Sequence, residues 1–321
     1  MSNKEIEVLG HAISKGKGVQ LNLDIAKLHT RTKIQVPIIV ERGKKEGPSL
    51  LITGGIHGNE INGIEIVRQL ISKKYNKPEF GMVICIPVVN VFGFLNQKRQ
   101  FPDGRDLNRV FPGSPRGSLA SRFAYHIIKE IAPSVDYCID YHTGGDSRFN
   151  VPQVRIGTND STSLQLAKVF NAPFIVKSAR REKSFRETLH KLDKKVLLYE
   201  GGKSLHLDDQ ITKTGLEGAL RVMQHLGMRN FKNELAESYF AQPEPIVVNS
   251  SKWIRAGYSG MLHPRVEAGQ KVVKGTVLAS ISDPFGSFER IVKSQFSGYV
   301  LCVNQSPIVN QGDGIFHITK D

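Results

Sequence analysis

Three apolar runs of this chain end in a side chain that can hold a metal ion or carry a proton. SLLIT (49–53) runs into GGIHGNE, with His57 and Glu60; VDYCIDY (135–141) runs into His142 of DYHTGG; KVLLY (195–199) runs into Glu200 of YEGG. Glycines flank each of them, and glycine lets the backbone come close to a ligand. His57 and Glu60 are three residues apart where loop passes into helix, so imidazole and carboxylate share one side of a first helical turn. Taken alone, such a pair also describes a polar helix start with a capping glutamate. His142, at a second strand end, completes a set of two histidines and one carboxylate. That is a common ligand set of catalytic zinc, with the fourth position left to water. Asp140 lies two residues before His142, on the same side of an extended chain. It either orients the imidazole or is a solvated or capping residue. Glu200 either carries protons at the same sheet edge or caps the helix that follows.

A further block, KRQFPDGRDLNRVFPG (98–113), gathers Arg99, Arg105, Asn108 and Arg109 around the turn residues Pro102, Asp103 and Gly104. Arginine forks match carboxylates through two parallel hydrogen bonds. Asn108 and Arg109 are therefore candidates for gripping a substrate carboxylate. Arg99 or Arg105 is a candidate for facing a developing oxyanion. A solvated loop is the competing reading of the same residues.

These side chains need elements to hold them. Ser49 to Thr53, Met82 to Val89, Val135 to Tyr141 and Lys195 to Tyr199 read as buried strands. Between the first two, Ile61, Ile64, Val67, Leu70 and Ile71 recur at helical spacing. Between the second and third, Leu119, Phe123, Ile127 and Ile131 do the same, with Ser118 as N-cap and Pro133 past the end. Strand and helix in alternation predict an α/β fold, a mixed, mostly parallel sheet flanked by helices. Ligands bind such sheets outside the carboxyl ends of the strands.

At 321 residues the chain is long enough for two domains. The texture changes near residue 240, where FAQPEPIVVNSS leads into short strands and glycine turns. SGMLHPRV (259–266) resembles SGYVLCVN (297–304), and VVKGTVLASI (272–281) resembles VNQGDGIFHI (309–318), at offsets of 38 and 37 residues. The expected division is an α/β catalytic domain over residues 1–243 and a small all-β barrel or sandwich over 244–321. The latter looks like the half-motif of lipoyl and biotinyl carriers. The hairpin that bears the modified lysine in those carriers reads DPFGSFER here, so a carrier role is not expected.

Hydrophobic residues make up 40% and charged residues 23%, which excludes a disordered or fibrous chain. The net charge of +14 favours anionic partners or a diffusely basic surface. No paired CxxC and histidines, and no aromatic-rich RNA-binding segment, accompany that charge, so nucleic acid is not an expected partner. Cys85, Cys138 and Cys302 form no CxxC pair. The most apolar stretch, Met82 to Leu95, is too short to span a bilayer, and the N-terminus lacks a signal-type apolar core. A soluble, cytoplasmic protein is expected, with no membrane partner. GxGxxG, GxxxxGK[ST], HExxH and GxSxG are all absent.

Taken in order, GGIHGNE, PDGRDLNRVFPG, DYHTGG and LLYEGG resemble the succinylglutamate desuccinylase/aspartoacylase family, zinc deacylases related to zinc carboxypeptidases. The resemblance covers roughly residues 30 to 321. It implies that His57, Glu60 and His142 bind one Zn2+ per chain. It implies that Arg99 polarises the scissile carbonyl, that Asn108 and Arg109 bind the substrate's α-carboxylate, and that Glu200 is the general base. Arg105 and Asp106 fall inside the motif without a direct role, Asp106 as a brace for the loop. The implied reaction is amide hydrolysis of a small anionic N-acylated amino acid or related acylated amine. A metallocarboxypeptidase that removes a C-terminal residue is the alternative, since it needs the same residues. The family implies a homodimer. Arg180, Arg181 and Arg186 lie where an acyl-selecting arginine is expected, and spacing does not choose among them. Tyr258 is the candidate lid tyrosine.

Overall fold

The computed structural model describes residues 6–27, 30, 31, 33–236 and 243–320. The start of the N-terminus and residues 240–242 of the proline-bearing segment lie outside them.

Four parallel strands form the centre of a 13-stranded sheet. Lys195–Lys203 pairs with Tyr137–Gly144, which pairs with Lys45–Thr53, which pairs with Phe80–Ile86. These are the four apolar runs read from the sequence. They are buried on both faces, so they show continuous apolar residues rather than alternation. Their side chains nevertheless divide by the two-residue pleat. Leu51, Ile84, Cys138 and Val196 enter one core, with Phe123 and Ile127 of helix Leu119–Ile131 and Phe185 and Leu189 of helix Phe185–Lys191. Leu50, Ile52, Cys85, Ile139, Leu197 and Tyr199 enter the other. There they meet Val67 and Leu70 of helix Ile61–Ser72, Phe170 of helix Ser161–Phe170 and Leu216 and Leu220 of helix Asp209–His225. Each fully buried aliphatic or Phe side chain contributes about 1.5–3 kcal/mol, so the two cores lock the parallel centre between helical layers.

Antiparallel strands extend the sheet on both sides. Lys33–Arg42 and Gly18–Lys27 continue it beyond Phe80–Ile86. On the other side, Arg148–Ile156 runs antiparallel to Lys195–Lys203. Parallel pairing recurs on that flank, where Phe174–Lys177 lies beside Arg148–Ile156 and Ile246–Val248 beside Phe174–Lys177.

The C-terminal repeat explains the rest. The first half supplies Gly260–Pro264 and Val277–Ser282, paired in a four-stranded sheet. The second supplies Gly298–Asn304 and Gly314–Thr319, paired in the large sheet. Each half lends a short strand to the other: Lys271–Val272 pairs with Gly298–Asn304, and Ile308–Val309 with Gly260–Pro264. A shared core of Leu262, Leu278, Ile281, Val300, Phe316 and Ile318 lies between. Gly298–Asn304 also pairs with Arg148–Ile156, which joins this region to the large sheet.

Two glycines in the motif loops are required by close approach. A Cβ at Gly58 would fall on the Gly93 backbone, and one at Gly144 on the carbonyl of Arg148. Gly58→Ala is expected to destabilise the protein by about 1–3 kcal/mol through overpacking. Denaturant unfolding monitored by circular dichroism checks this; an unchanged midpoint refutes it.

Candidate active site

The carboxyl ends of the four parallel strands converge on one cavity of about 390 Å³. The pairing register is what gathers the chemistry: Glu200 lies beside His142, and Asp140 beside Thr53. His57 arrives on the loop between strand Lys45–Thr53 and helix Ile61–Ser72. Asn90 anchors the arginine block, since its Nδ2 donates to the Arg99 and Gln100 carbonyls at 3.3 Å each.

His57, Glu60 and His142 are buried and present ligand atoms all within 4.8 Å of one another. Glu60 occupies the N-cap position of its helix but makes no side-chain cap. Its Oε2 instead meets His142 Nδ1 at 2.8 Å and accepts from Thr143 N at 3.2 Å. Its Oε1 lies 2.7 Å from His57 Nδ1 and accepts from Arg99 Nη1 at 3.0 Å. The second nitrogen of each imidazole rests on another carboxylate. His57 Nε2 is 3.1 Å from Asp106 Oδ1, and His142 Nε2 is 2.9 Å from Asp140 Oδ2. Asp140 is fully buried and its Oδ1 accepts from Thr53 Oγ1 at 2.8 Å, so it orients the imidazole and neither caps nor faces solvent.

These contacts test whether a cation suits the site. If each Nε2–H donates to its aspartate, each Nδ1 turns a lone pair toward Glu60, an arrangement that needs positive charge between them. Despite the 2.7 Å approach, His57 Nδ1 has no partner with hydrogen-bond geometry among the described residues. Among the described residues, Arg99 is the one guanidinium that forms ion pairs with Glu60 and Asp106, and none pairs with Asp140, so with neutral imidazoles this directly bonded group carries two net negative charges, matching one divalent ion. Burial opposes ionisation of Glu60, but His57 and His142 hold its carboxyl well below the usual carboxylate range. Burial also disfavours charge on His142, yet Asp140 and Glu60 raise its proton affinity well above that of an ordinary imidazole. The donor set, nitrogen and carboxylate oxygen, suits zinc.

Beyond the cluster the cavity is strongly cationic. Arg99, Arg109, Arg148, Arg155, Arg181 and Arg186 line it, against the carboxylates Glu60 and Glu200. Asp106 accepts from Arg99 Nη2 at 2.9 Å and from Asn108 N at 2.9 Å, so one carboxylate braces His57, Arg99 and the loop together. Asn108 Oδ1 accepts from Phe185 N at 2.8 Å, which leaves its amide nitrogen for the cavity. Arg109 Nη1 donates to the Asn108 carbonyl at 2.6 Å and fixes the guanidinium beside it. Glu200 caps nothing, since the next helix takes its N-cap from Asp208; its Oε2 accepts from Asn150 Nδ2 at 2.7 Å.

Of the three candidate acyl-selecting arginines, Arg180 pairs with Asp160 at 2.7 Å and is absent from the cavity lining, whereas Arg181 and Arg186 line it. Arg186 is buried, and its Nη1 has no partner among the described residues. Burial, then Arg155 and Arg180, push its guanidinium down to about 10. Arg105 lies outside the lining, 3.7 Å from Asp103, with its side chain 58% exposed. Tyr258 is also outside it and packs toward Phe288. The aromatic group at the rim is instead Trp253, stacked on His317 at 4.8 Å and under the Arg148 guanidinium. Cys302 reaches the cavity, but burial pushes its thiol up to about 12, which removes it as a nucleophile. Sequence reading missed Asn150, Arg148, Arg155 and Trp253. Arg148 and Asn150 alternate along one strand, a signal that is too common to single out a site.

The succinylglutamate desuccinylase/aspartoacylase catalytic domain matches residues 46–226. N-alpha-acetyl-L-2,4-diaminobutyric acid deacetylase of Halomonas elongata is 29% identical over 305 residues, 89% of this chain and 86% of that protein. Among solved structures, the succinylglutamate desuccinylase/aspartoacylase of Rhodobacter sphaeroides is 24% identical, with a TM-score of 0.83 over 96% of this chain and 98% of that one. The product-bound ectoine utilization protein EutE (DoeB) of Ruegeria pomeroyi is 20% identical, with a TM-score of 0.83 over 95% of each chain. These two structural likenesses are likenesses of fold.

Asp140→Asn replaces the carboxylate that orients His142. If the cluster holds a divalent ion, its affinity for added Zn2+ is expected to fall about 10–100-fold, measured by competition with a chromophoric chelator; unchanged affinity removes Asp140 from that role.

Proposed function

The chain belongs to the succinylglutamate desuccinylase/aspartoacylase family, and we propose that it is a zinc deacylase whose substrate carries two anionic groups. Its class is that of the family, an amidohydrolase of small N-acyl amino acids. The observation that carries the finer reading is the convergence of a His–Glu–His cluster, the Glu200 carboxylate and an arginine-lined wall on one small cavity.

His57, Glu60 and His142 would hold one zinc ion per chain. Bound there, zinc supplies Lewis-acid polarisation of the scissile carbonyl and makes a nearby water more acidic. Glu200 accepts the proton of the attacking water and returns it to the leaving amine as the C–N bond breaks. A carboxylic acid and an amine result. Arg99, held by Glu60 and Asp106, faces the charge that develops on the carbonyl oxygen; a donor of this kind contributes about 2.7–4 kcal/mol. Asn108 and Arg109 grip the α-carboxylate.

The second anionic group follows from Arg155 and Arg186. Both line the cavity, and Arg155 Nε and Arg186 Nη1 are buried without hydrogen-bond partners among the described residues, Arg155 Nε having the Glu200 carboxylate 3.8 Å away. Buried guanidinium nitrogens call for an anion. This favours a dicarboxylic acyl group or an acidic side chain over the free amine carried by a diaminobutyric acid derivative. A cavity of about 390 Å³ with Trp253 at its rim suits a small acyl amino acid better than an extended peptide.

On this reading, residues 1–243 form the catalytic domain and 244–321 a β-domain that completes the cavity through Trp253 and Cys302. No helix among the described residues is long and apolar enough to cross a membrane. The three cysteines are buried and unpaired, which agrees with a reducing, cytoplasmic setting. The family's homodimer is part of the same proposal.

Glu200→Gln is expected to retain zinc, by metal analysis, while kcat falls about 10²–10⁴-fold; near-normal turnover dismisses Glu200 as the base. In a panel assayed by release of free amine, N-succinyl amino acids are expected to outpace their N-acetyl counterparts at least about tenfold in kcat/KM. Arg186→Met should erase that preference. Equal rates for both series in the unaltered enzyme would overturn the two-anion reading.

A further inference from the structure

Of the two carboxylates that line the cavity, Glu60 contacts both imidazoles, whereas the Glu200 side chain contacts none among the described residues although its backbone pairs with His142, so its orientation has to come from elsewhere. Strand Arg148–Ile156 provides it. The antiparallel ladder slips beside Glu200: Glu200 pairs with Gln153, but Gly202 pairs with Asn150. The slip brings the Asn150 amide diagonally across to Glu200, with Nδ2 2.7 Å from Oε2. Asn150 is only 4% exposed, yet it lines the cavity. The other oxygen, Oε1, has no hydrogen-bond partner among the described residues; Arg155 Nε is 3.8 Å from it, beyond hydrogen-bond range.

We infer that Asn150 is a positioning residue for the reaction: it pins one oxygen of Glu200 so that the other faces the water to be deprotonated. The inference rests on Glu200 being the base. Chemistry explains the choice of residue. An amide nitrogen donates a directional hydrogen bond without adding charge to the cavity, so it fixes the carboxylate in place. The reverse amide orientation would set two oxygens against each other at the same distance, so the NH₂ end faces Glu200. Burial on a strand core removes alternative rotamers, and a carboxylate fixed in direction is worth more to proton transfer than a rotating one.

The test uses the zinc-loaded enzyme and the fastest substrate of the N-succinyl and N-acetyl panel. Asn150→Ala is expected to lower kcat about tenfold, the rate equivalent of one lost hydrogen bond, with KM within twofold and zinc content unchanged. Placed in the Glu200→Gln background, the same substitution should cost less than twofold, because a residue acting only through Glu200 has nothing left to position. Retained kcat, a rise in KM alone, or an equal kcat loss in the Glu200→Gln background each overturns the inference. If Asn150→Ala does not fold, Asn150→Asp carries the test. It keeps the shape but sets carboxylate against carboxylate, so kcat should fall with KM kept, and normal kcat refutes the role. Normal turnover of Glu200→Gln by itself would instead fell the base assignment, an outcome distinct from a failure of Asn150.

Discussion

Buried negative charge around two imidazoles is the constraint on which the rest of the architecture depends. Glu60 and Asp140 are almost wholly removed from water, and Asp106 partly so. Removing an ion from water costs several kcal/mol even after relaxation. The chain offsets that cost with imidazole contacts, the Arg99 fork and backbone or hydroxyl donors, and still leaves a surplus of negative charge. A divalent cation at His57, Glu60 and His142 would offset that charge, and with each Nε2–H on its aspartate the Nδ1 lone pairs would face it. Each histidine is held from behind by an aspartate, so the ligands are oriented before any ion arrives.

Such a cluster needs rigid support, and the parallel strands supply it. Their carboxyl ends align because neighbouring strands are in register, which sets Glu200 beside His142 and Asp140 beside Thr53. Two cores, one on each face, keep that register, since a slip of one residue would exchange the apolar sets of the two faces. The motif loops then pack backbone on backbone, at Gly58 against Gly93 and at Gly144 against Arg148, which brings the loop ligands close to the strand ligands.

The cavity above the cluster has the opposite sign. Arginines from the 98–113 block, from strand Arg148–Ile156 and from the segment before and within helix Phe185–Lys191 line the same cavity as Glu200. The C-terminal region adds the wall of Trp253, which the pairing of Gly298–Asn304 with Arg148–Ile156 carries to the rim. The cavity thus has an anionic floor suited to a cation and a cationic wall suited to an anion.

The α/β class, the four central strands, two of the helices and the placing of His57, Glu60, His142 and Glu200 at one sheet edge were legible in the linear order, because each signal is local. Apolar runs, helical spacing and a polar residue at a strand end depend on a few adjacent residues. The C-terminal repeat was legible for the same reason, but the exchange of short strands between its halves was not, since pairing partners there are far apart in sequence. Tertiary structure alone separated Arg186 from Arg180, because an ion pair with Asp160 removes one and burial presents the other. It replaced Tyr258 with Trp253 at the rim, and it tied Asn150 to Glu200 across a slipped ladder. Those outcomes turn on angstrom-scale register and on which charge finds a partner first, and neither quantity is written in spacing along the chain.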